Sequence, residues 1–106
     1  MALQFTDQNF KTEVGRGFAI VDFTATWCGP CKMMAPIFEA LAHQFEGKVK
    51  MGKLDVDDSS ETAGSFGISG VPTLMFFKDG AEVARLVGFQ SKDVLVAKIE
   101  EIFGVK

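Results

Sequence analysis

The sequence has little of several features that mark common classes of protein. Cysteine occurs twice, proline three times and histidine once among 106 residues, and tyrosine does not occur. The longest apolar run, around residues 71–77, is far too short to cross a bilayer. A net charge of −3 with scattered basic residues argues against nucleic acid or a membrane as a partner. The first residues show no secretory signal, which favours a cytoplasmic protein.

What the sequence does have is the composition of one compact domain. Hydrophobic residues make up 47% of the chain and charged residues 24%, with 11 phenylalanines available for a core. A chain of this length can bury roughly two-thirds of its unfolded surface. Because no repeat, linker or low-complexity tract interrupts it, we expect a single domain over residues 1–106 and a monomer.

Apolar runs typical of strands alternate with helical patterns along the chain. Helices are predicted around residues 10–14, 30–45, 58–66 and after residue 91. Strands are predicted at residues 3–5, 18–24, 49–56, 73–78 and 81–87, the last two joined by an Asp79-Gly80 turn. This order predicts an α/β protein with a central mixed five-stranded sheet flanked by four helices.

Local signals indicate how these helices begin. Thr6 or Asp7 offers an N-cap for the first helix, and Ser91 offers one for the last. The spacing of Asp58 and Glu61 predicts a capping box at the third helix. The second helix contains a proline at position 36, where we expect a kink.

Both cysteines lie in one motif, WCGPCK at residues 27–32, where a strand is predicted to run into a helix. Two thiols separated by two residues can close into a disulfide and reopen. A helix start stabilises an anion, and the thiolate is the reactive form of cysteine. The motif therefore predicts dithiol–disulfide exchange. The alternative is half of a zinc site, but only His43 remains as a further soft ligand, so we expect no metal.

Residues 22–32, DFTATWCGPCK, closely resemble the active-site segment of the thioredoxin family. The resemblance covers essentially the whole chain in the family's order. Its other matches are Pro36, residues 53–57 (KLDVD), 66–68 (FGI), 71–73 (VPT), 77–80 (FKDG) and 87–88 (VG). A bare Cys-x-x-Cys is a weak signal, whereas WCGPCK with VPT at matching spacing is a strong one. The resemblance implies the thioredoxin fold and a protein-disulfide reductase.

The resemblance also implies separate roles for the two thiols. Cys28 would be the nucleophile at the mouth of the helix and would form a mixed disulfide with the substrate. Cys31, one turn inward and less exposed, would attack that bond and release the reduced substrate. Gly29 and Pro30 would hold the two sulfurs close while preserving the start of the helix.

Asp22 stands alone in an apolar run, six residues before Cys28. Burial would raise its pKa, and the resemblance implies that it assists Cys31 by exchanging a proton. The resemblance also places Lys53 of the third strand near Asp22, where it could modulate the charge of the carboxyl. The alternatives are an aspartate at a strand end that reaches water and a lysine that snorkels from a strand end.

A second segment, Val71-Pro72, is implied to face the cysteines through a cis peptide bond. The backbone of Val71 could then pair with an extended substrate segment. The alternative is a trans proline that merely precedes a strand. Trp27, Val71, Gly88 and Phe89 are candidates for an apolar docking surface, although Trp27 could be a packing residue and Phe89 could belong to the core.

Taken with the resemblance, these residues predict a thiol–disulfide oxidoreductase that reduces client proteins and is recycled by a thioredoxin reductase. No cofactor is expected, because the chain shows no dinucleotide fingerprint. One alternative is a redox-sensitive binding or regulatory subunit that uses the same surface without turnover. Another is a disulfide-forming oxidant, but the Gly29-Pro30 pair between the cysteines resembles the reducing branch of the family.

Overall fold

The structure, a computed structural model, describes residues 1–106 and has nine regular elements. The strands are β1 (Leu3–Phe5), β2 (Phe18–Thr24), β3 (Lys50–Asp55), β4 (Thr73–Lys78) and β5 (Ala81–Val87). The helices are α1 (Phe10–Val14), α2 (Gly29–Gln44), α3 (Ser60–Ser65) and α4 (Lys92–Phe103). The predicted α/β fold, a mixed five-stranded sheet with four helices, is confirmed. None of the four helices has the length and apolar composition needed to span a membrane.

The order of the strands in the sheet is β1-β3-β2-β4-β5. β3 pairs in parallel with both β1 and β2, whereas β4 is antiparallel to β2 and to β5. The end of β2 therefore lies beside the start of β4, where Phe23 is opposite Thr73, and Thr73 is in turn opposite Val87 of β5. This edge of the sheet gathers the segments that follow β2, precede β4 and follow β5.

Alternation along β2 divides the core into two layers, one on each face of the sheet. Ala19, Val21 and Phe23 belong to the core that α1 and α3 cover. Ile20 belongs to the core that α2 and α4 cover. The larger of the two layers contains Ile20, Met34, Phe38, Leu41, Ala42, Phe45, Val49, Met51, Leu74, Phe76, Leu95, Ile99 and Phe103. Asp22 follows Ile20 at an interval of two residues in the strand, so its side chain lies on the same face of the sheet, the one that α2 covers.

One predicted helix cap is confirmed and another is wrong, and the correction involves contacts between distant segments. At the start of α1 the predicted Thr6 makes the capping contact: its Oγ1 accepts the N–H of Asn9 at 3.3 Å, and Asn9 Oδ1 accepts the N–H of Thr6 at 2.8 Å. The N-cap of α3 is Ser59 rather than Asp58. The backbone N–H of Asp7 donates to Ser59 Oγ at 3.2 Å, and the N–H of Thr62 donates to Asp7 Oδ1 at 2.8 Å. Asp7 thus satisfies a free N–H at the start of α3, although β2, α2 and β3 separate the two residues along the chain.

Other local predictions hold. Ser91 caps α4, since its hydroxyl accepts the N–H of Val94 at 3.4 Å. Asp79 and Gly80 both have positive φ, 50° and 84°, as a two-residue hairpin turn requires. The α2 helix continues through Pro36 to Gln44.

Gly52 in β3 is expected to tolerate no side chain, because a Cβ there would lie against three ring carbons of Phe5, the farthest at 2.7 Å. Phe5 is fully buried, so its ring has no solvent to move into. We expect Gly52→Ala to lower the free energy of unfolding in urea by about 1–3 kcal/mol. Gly64 is the control: a Cβ at this helical position meets nothing within 4 Å, and Gly64→Ala should raise stability by about 0.5–1 kcal/mol. Equal unfolding midpoints for the two variants would contradict the steric argument.

Candidate active site

The two cysteines flank the first residues of α2. Cys28 is the N-cap, with an extended backbone, and its Sγ accepts the N–H of Cys31 at 3.2 Å. A sulfur in this position takes the place of the serine or aspartate oxygen that usually caps a helix. Gly29 and Pro30 form the first turn, and a proline there costs little because its missing N–H would have had no partner. Cys28 and Cys31 are joined as a disulfide, with Cα atoms 5.2 Å apart.

Both cysteines are buried, with exposed fractions of 5% for Cys28 and 3% for Cys31. The predicted contrast in exposure is therefore slight, and the two sulfurs differ more in what surrounds them. Sγ of Cys28 lies 3.6 Å from the carbonyl oxygen of Val71, on the side of the segment before β4. Cys31 lines a cavity of about 390 Å³ that also borders Asp22 and Lys53.

Asp22 is buried, with an exposed fraction of 1%, so the alternative of a strand-end aspartate that reaches water is wrong. Its Oδ1 has no hydrogen-bond partner. Burial raises the pKa of Asp22 from its ordinary value of 3.8 to about 7, while the nearby positive charge of Lys53 acts in the opposite direction. The carboxyl can therefore take up or release a proton near neutral pH.

Lys53 is directly opposite Asp22 in the register of β2 and β3. It follows Met51 at an interval of two, so both side chains lie on the face that α2 covers. Its ammonium does not simply reach solvent: Nζ lies 3.3 Å from Oε2 of Glu39 on α2. Glu39 was not predicted from the sequence, because it lies outside the resembling motifs and only the fold brings it to β3.

The segment before β4 lies against the cysteines, and the Val71-Pro72 peptide bond is cis, as the resemblance implied. The N–H of Gly88 donates to the carbonyl oxygen of Pro72 at 2.8 Å. Gly88 has φ of 92°, a conformation that a residue with a side chain rarely adopts. The backbone N–H of Val71 itself donates no backbone hydrogen bond. Its amide is therefore free to pair with another chain.

Exposed apolar side chains surround this backbone. Trp27 is 69% exposed, which excludes a role in core packing, and its indole N–H donates to Asp57 Oδ2 at 2.9 Å. Val87 is 62% exposed, and Phe89 is also exposed rather than part of the core. Asp57 and Val87 were not predicted. Their signal lay in the topology: Asp57 follows the end of β3 and Val87 is the last residue of β5, both at the edge of the sheet that carries the cysteines.

No group of three or more histidine, cysteine, aspartate or glutamate side chains is arranged to hold a metal ion. The arrangement instead suits sulfur chemistry. The start of α2 directs free N–H groups and the positive end of its dipole at Cys28, which favours the thiolate once the disulfide is reduced. A carboxyl that titrates near neutrality borders the cavity that Cys31 lines. These features together permit a reversible dithiol–disulfide couple.

Comparison with known proteins gives the same result from the whole chain. The family model described as Thioredoxin matches residues 1–101. The chain is 48% identical over 99 residues to a thioredoxin of Staphylococcus saprophyticus, covering 93% of this chain and 95% of the relative. It is 46% identical, with the same coverage, to thioredoxins of Staphylococcus haemolyticus and Staphylococcus aureus. The chain therefore belongs to the thioredoxin family.

Proposed function

We propose that this protein reduces disulfide bonds in client proteins by dithiol–disulfide exchange through Cys28 and Cys31. The observation that carries the proposal is the position of Cys28 as N-cap of α2, where its sulfur accepts the N–H of Cys31. The same hydrogen bond and the helix dipole stabilise a thiolate at Cys28 in the reduced protein. A thiolate at this site is the nucleophile that the reaction needs.

The first step joins the protein to its client. The Cys28 thiolate attacks one sulfur of the client disulfide, a Cys28–client disulfide forms, and the second client sulfur leaves as a thiolate that takes a proton from solvent. Gly29 and Pro30 complete the turn that keeps Cys31 one helical turn away. Cys31, on the side of the cavity that borders Asp22, therefore stays within reach of the mixed disulfide at Cys28.

The second step resolves the mixed disulfide. The Asp22 carboxylate accepts the proton of the Cys31 thiol across the cavity that they share, and the Cys31 thiolate attacks Sγ of Cys28. The Cys28–Cys31 disulfide forms, and the remaining client sulfur leaves as a thiolate. Lys53 adjusts how readily Asp22 gives up its own proton.

Client binding is assigned to the backbone and apolar surface around Cys28. An extended client segment would pair with the N–H and C=O of Val71, as in the addition of a strand to a sheet. The carbonyl of Val71 lies against Sγ of Cys28, and Gly88 supports this backbone through its bond to the Pro72 carbonyl. Trp27 supplies exposed apolar area beside the sulfur.

The oxidised protein then needs an electron donor, and we assign this role to a thioredoxin reductase, the partner that family membership implies. Gly29-Pro30 between the cysteines, which resembles the reducing branch of the family, supports a place in the cytoplasm, where a reducing pool is maintained. We further propose that the protein acts as a single domain and a monomer, without a cofactor, membrane or nucleic acid. The net charge of −3 offers phosphates no electrostatic attraction.

An insulin reduction assay with dithiothreitol as donor tests the proposal. The wild-type protein is expected to accelerate precipitation of the insulin B chain, and the double variant Cys28→Ser/Cys31→Ser is expected to show only the rate of dithiothreitol alone. Equal rates for the two proteins would refute turnover. If the wild type is inactive yet both proteins bind a client peptide equally, the chain is a binding subunit rather than a reductase.

A further inference from the structure

Glu39 takes no part in the two proposed steps of disulfide exchange, although it lies on the side of α2 that carries Cys31. Cys31, Ala35 and Glu39 follow one another at intervals of four residues and so run along one side of the helix. Cys31 and Ala35 both line the cavity that borders Asp22 and Lys53. Glu39 continues this row by one more turn and meets the ammonium of Lys53 at 3.3 Å.

The carboxylate of Glu39 is fixed by two contacts. Oε1 accepts the backbone N–H of Ala2 at 2.8 Å, and Oε2 pairs with Lys53 Nζ. The N–H of Ala2 holds the pKa of Glu39 below its ordinary value, and Lys53 acts in the same direction. Glu39 is therefore ionised wherever Asp22 titrates, and it offers Lys53 a full negative charge. Gln4 adds a bond to the carbonyl of Lys53 at 3.2 Å, which holds this part of β3 against β1.

Lys53 thus stands between two carboxyl groups with different surroundings. The register of the sheet places it beside buried Asp22, whereas its ammonium is engaged by half-exposed Glu39. An ammonium drawn towards Asp22 would stabilise the carboxylate there and release its proton at lower pH. Engagement by Glu39 limits that stabilisation.

We propose that Glu39 is a positioning residue, which holds the Lys53 ammonium towards α2 and so limits its approach to the Asp22 carboxyl. The proposal deepens the proposed function, on which its consequence for the reaction rests. Three other charged residues line the same cavity, namely Lys32, Asp55 and Asp58. Among the charged groups around Asp22, Lys53 is the one whose charge lowers the pKa of Asp22, so Glu39 exerts its influence through that lysine.

The test is a titration of Asp22 followed by carboxyl ¹³C chemical shift in the oxidised protein, where neither cysteine titrates. Glu39→Gln retains an acceptor for the Ala2 N–H but removes the charge that engages Lys53. We expect the Asp22 midpoint to fall by roughly one pH unit in this variant and to rise in Lys53→Gln. In the double variant the midpoint should equal that of Lys53→Gln alone, because Glu39 then has no ammonium to hold.

The chain provides a matched control in Glu13, a helical glutamate that pairs with Lys50 of the same strand at 3.6 Å and with similar exposure. Glu13→Gln should leave the Asp22 midpoint unchanged. An unchanged midpoint in Glu39→Gln, or an equal fall in the Lys53→Gln background, would overturn the positioning role. If the midpoint falls as expected while the pH profile of mixed-disulfide resolution stays in place, Glu39 positions Lys53 as proposed. That result would contradict the proposed proton transfer by Asp22 and leave the positioning role of Glu39 supported.

Discussion

Replacing Cys28 with serine is expected to lower the rate of disulfide reduction by about a thousandfold or more. The hydroxyl of serine stays protonated near neutral pH, so the start of α2 has no anion to stabilise and no nucleophile forms. The serine still fills the N-cap position and can accept the N–H of Cys31. The fold should therefore survive, and far-ultraviolet circular dichroism and the unfolding midpoint of the reduced protein serve as checks.

Cys31→Ser is the informative companion, because it removes the resolving sulfur and leaves the nucleophile. This variant should attack a client disulfide once and remain attached to it, giving a covalent complex that dithiothreitol releases. In a stopped-flow reaction with a disulfide peptide, the first phase should be retained and the second should disappear. Mass spectrometry then identifies the mixed disulfide at Cys28. A trapped complex in Cys28→Ser rather than in Cys31→Ser would reverse the assignment of the two sulfurs.

Much of the fold could be predicted because its signals are local. The bounds of β2, β4 and β5 follow from apolar runs next to glycine-containing turns, and the structure reproduces them residue for residue. Asp79 and Gly80 can adopt the positive φ that their hairpin turn requires, and Ser91 caps α4, which begins at the next residue. In each case the residues that determine the element lie within it or beside it.

The wrong cap at α3 shows what local signals cannot provide. Asp58 and Glu61 have the spacing of a capping box, yet Asp7, 55 residues away from Thr62, supplies the acceptor for the start of α3. That acceptor becomes available only after the segment beyond β1 has packed against α3. The sequence does not show whether Asp7 or Asp58 supplies the acceptor, because both aspartates are equally plausible caps until the sheet is assembled.

The candidate site divides in the same way. The two cysteines, Asp22 and the segment before β4 could be predicted from their motif and from a resemblance that spans the chain. Glu39 and Asp57 could not, because each acts through a partner on another element: Lys53 on β3 and the indole of Trp27 before α2. The exposure of the two cysteines could not be predicted either, because the folded chain buries both residues to a similar degree.

Asp22→Ala is expected to stabilise the folded protein at pH 8 and to have a much smaller effect at pH 4. In the folded protein burial raises the pKa of Asp22 to about 7, against 3.8 when it is exposed. Between these values the folded state binds more protons than the unfolded state, so stability falls as pH rises. The difference of roughly three pH units corresponds to about 4 kcal/mol of stability, which is fully present below pH 4 and is lost as the pH rises from 4 to 7.

Urea unfolding of oxidised wild type and Asp22→Ala from pH 4 to pH 8.5 measures this effect. The two stabilities should diverge by about 4 kcal/mol over that range, and any cost of the space left by the smaller side chain cancels because it does not depend on pH. Asp7 supplies a control of opposite sign, since hydrogen bonds from Thr62 lower its pKa and its contribution is lost as pH falls. Parallel stability curves for wild type and Asp22→Ala would mean that Asp22 is not a buried acid. Slower resolution of the mixed disulfide by the same variant, alongside its greater stability, would show that the buried carboxyl costs stability and serves the reaction.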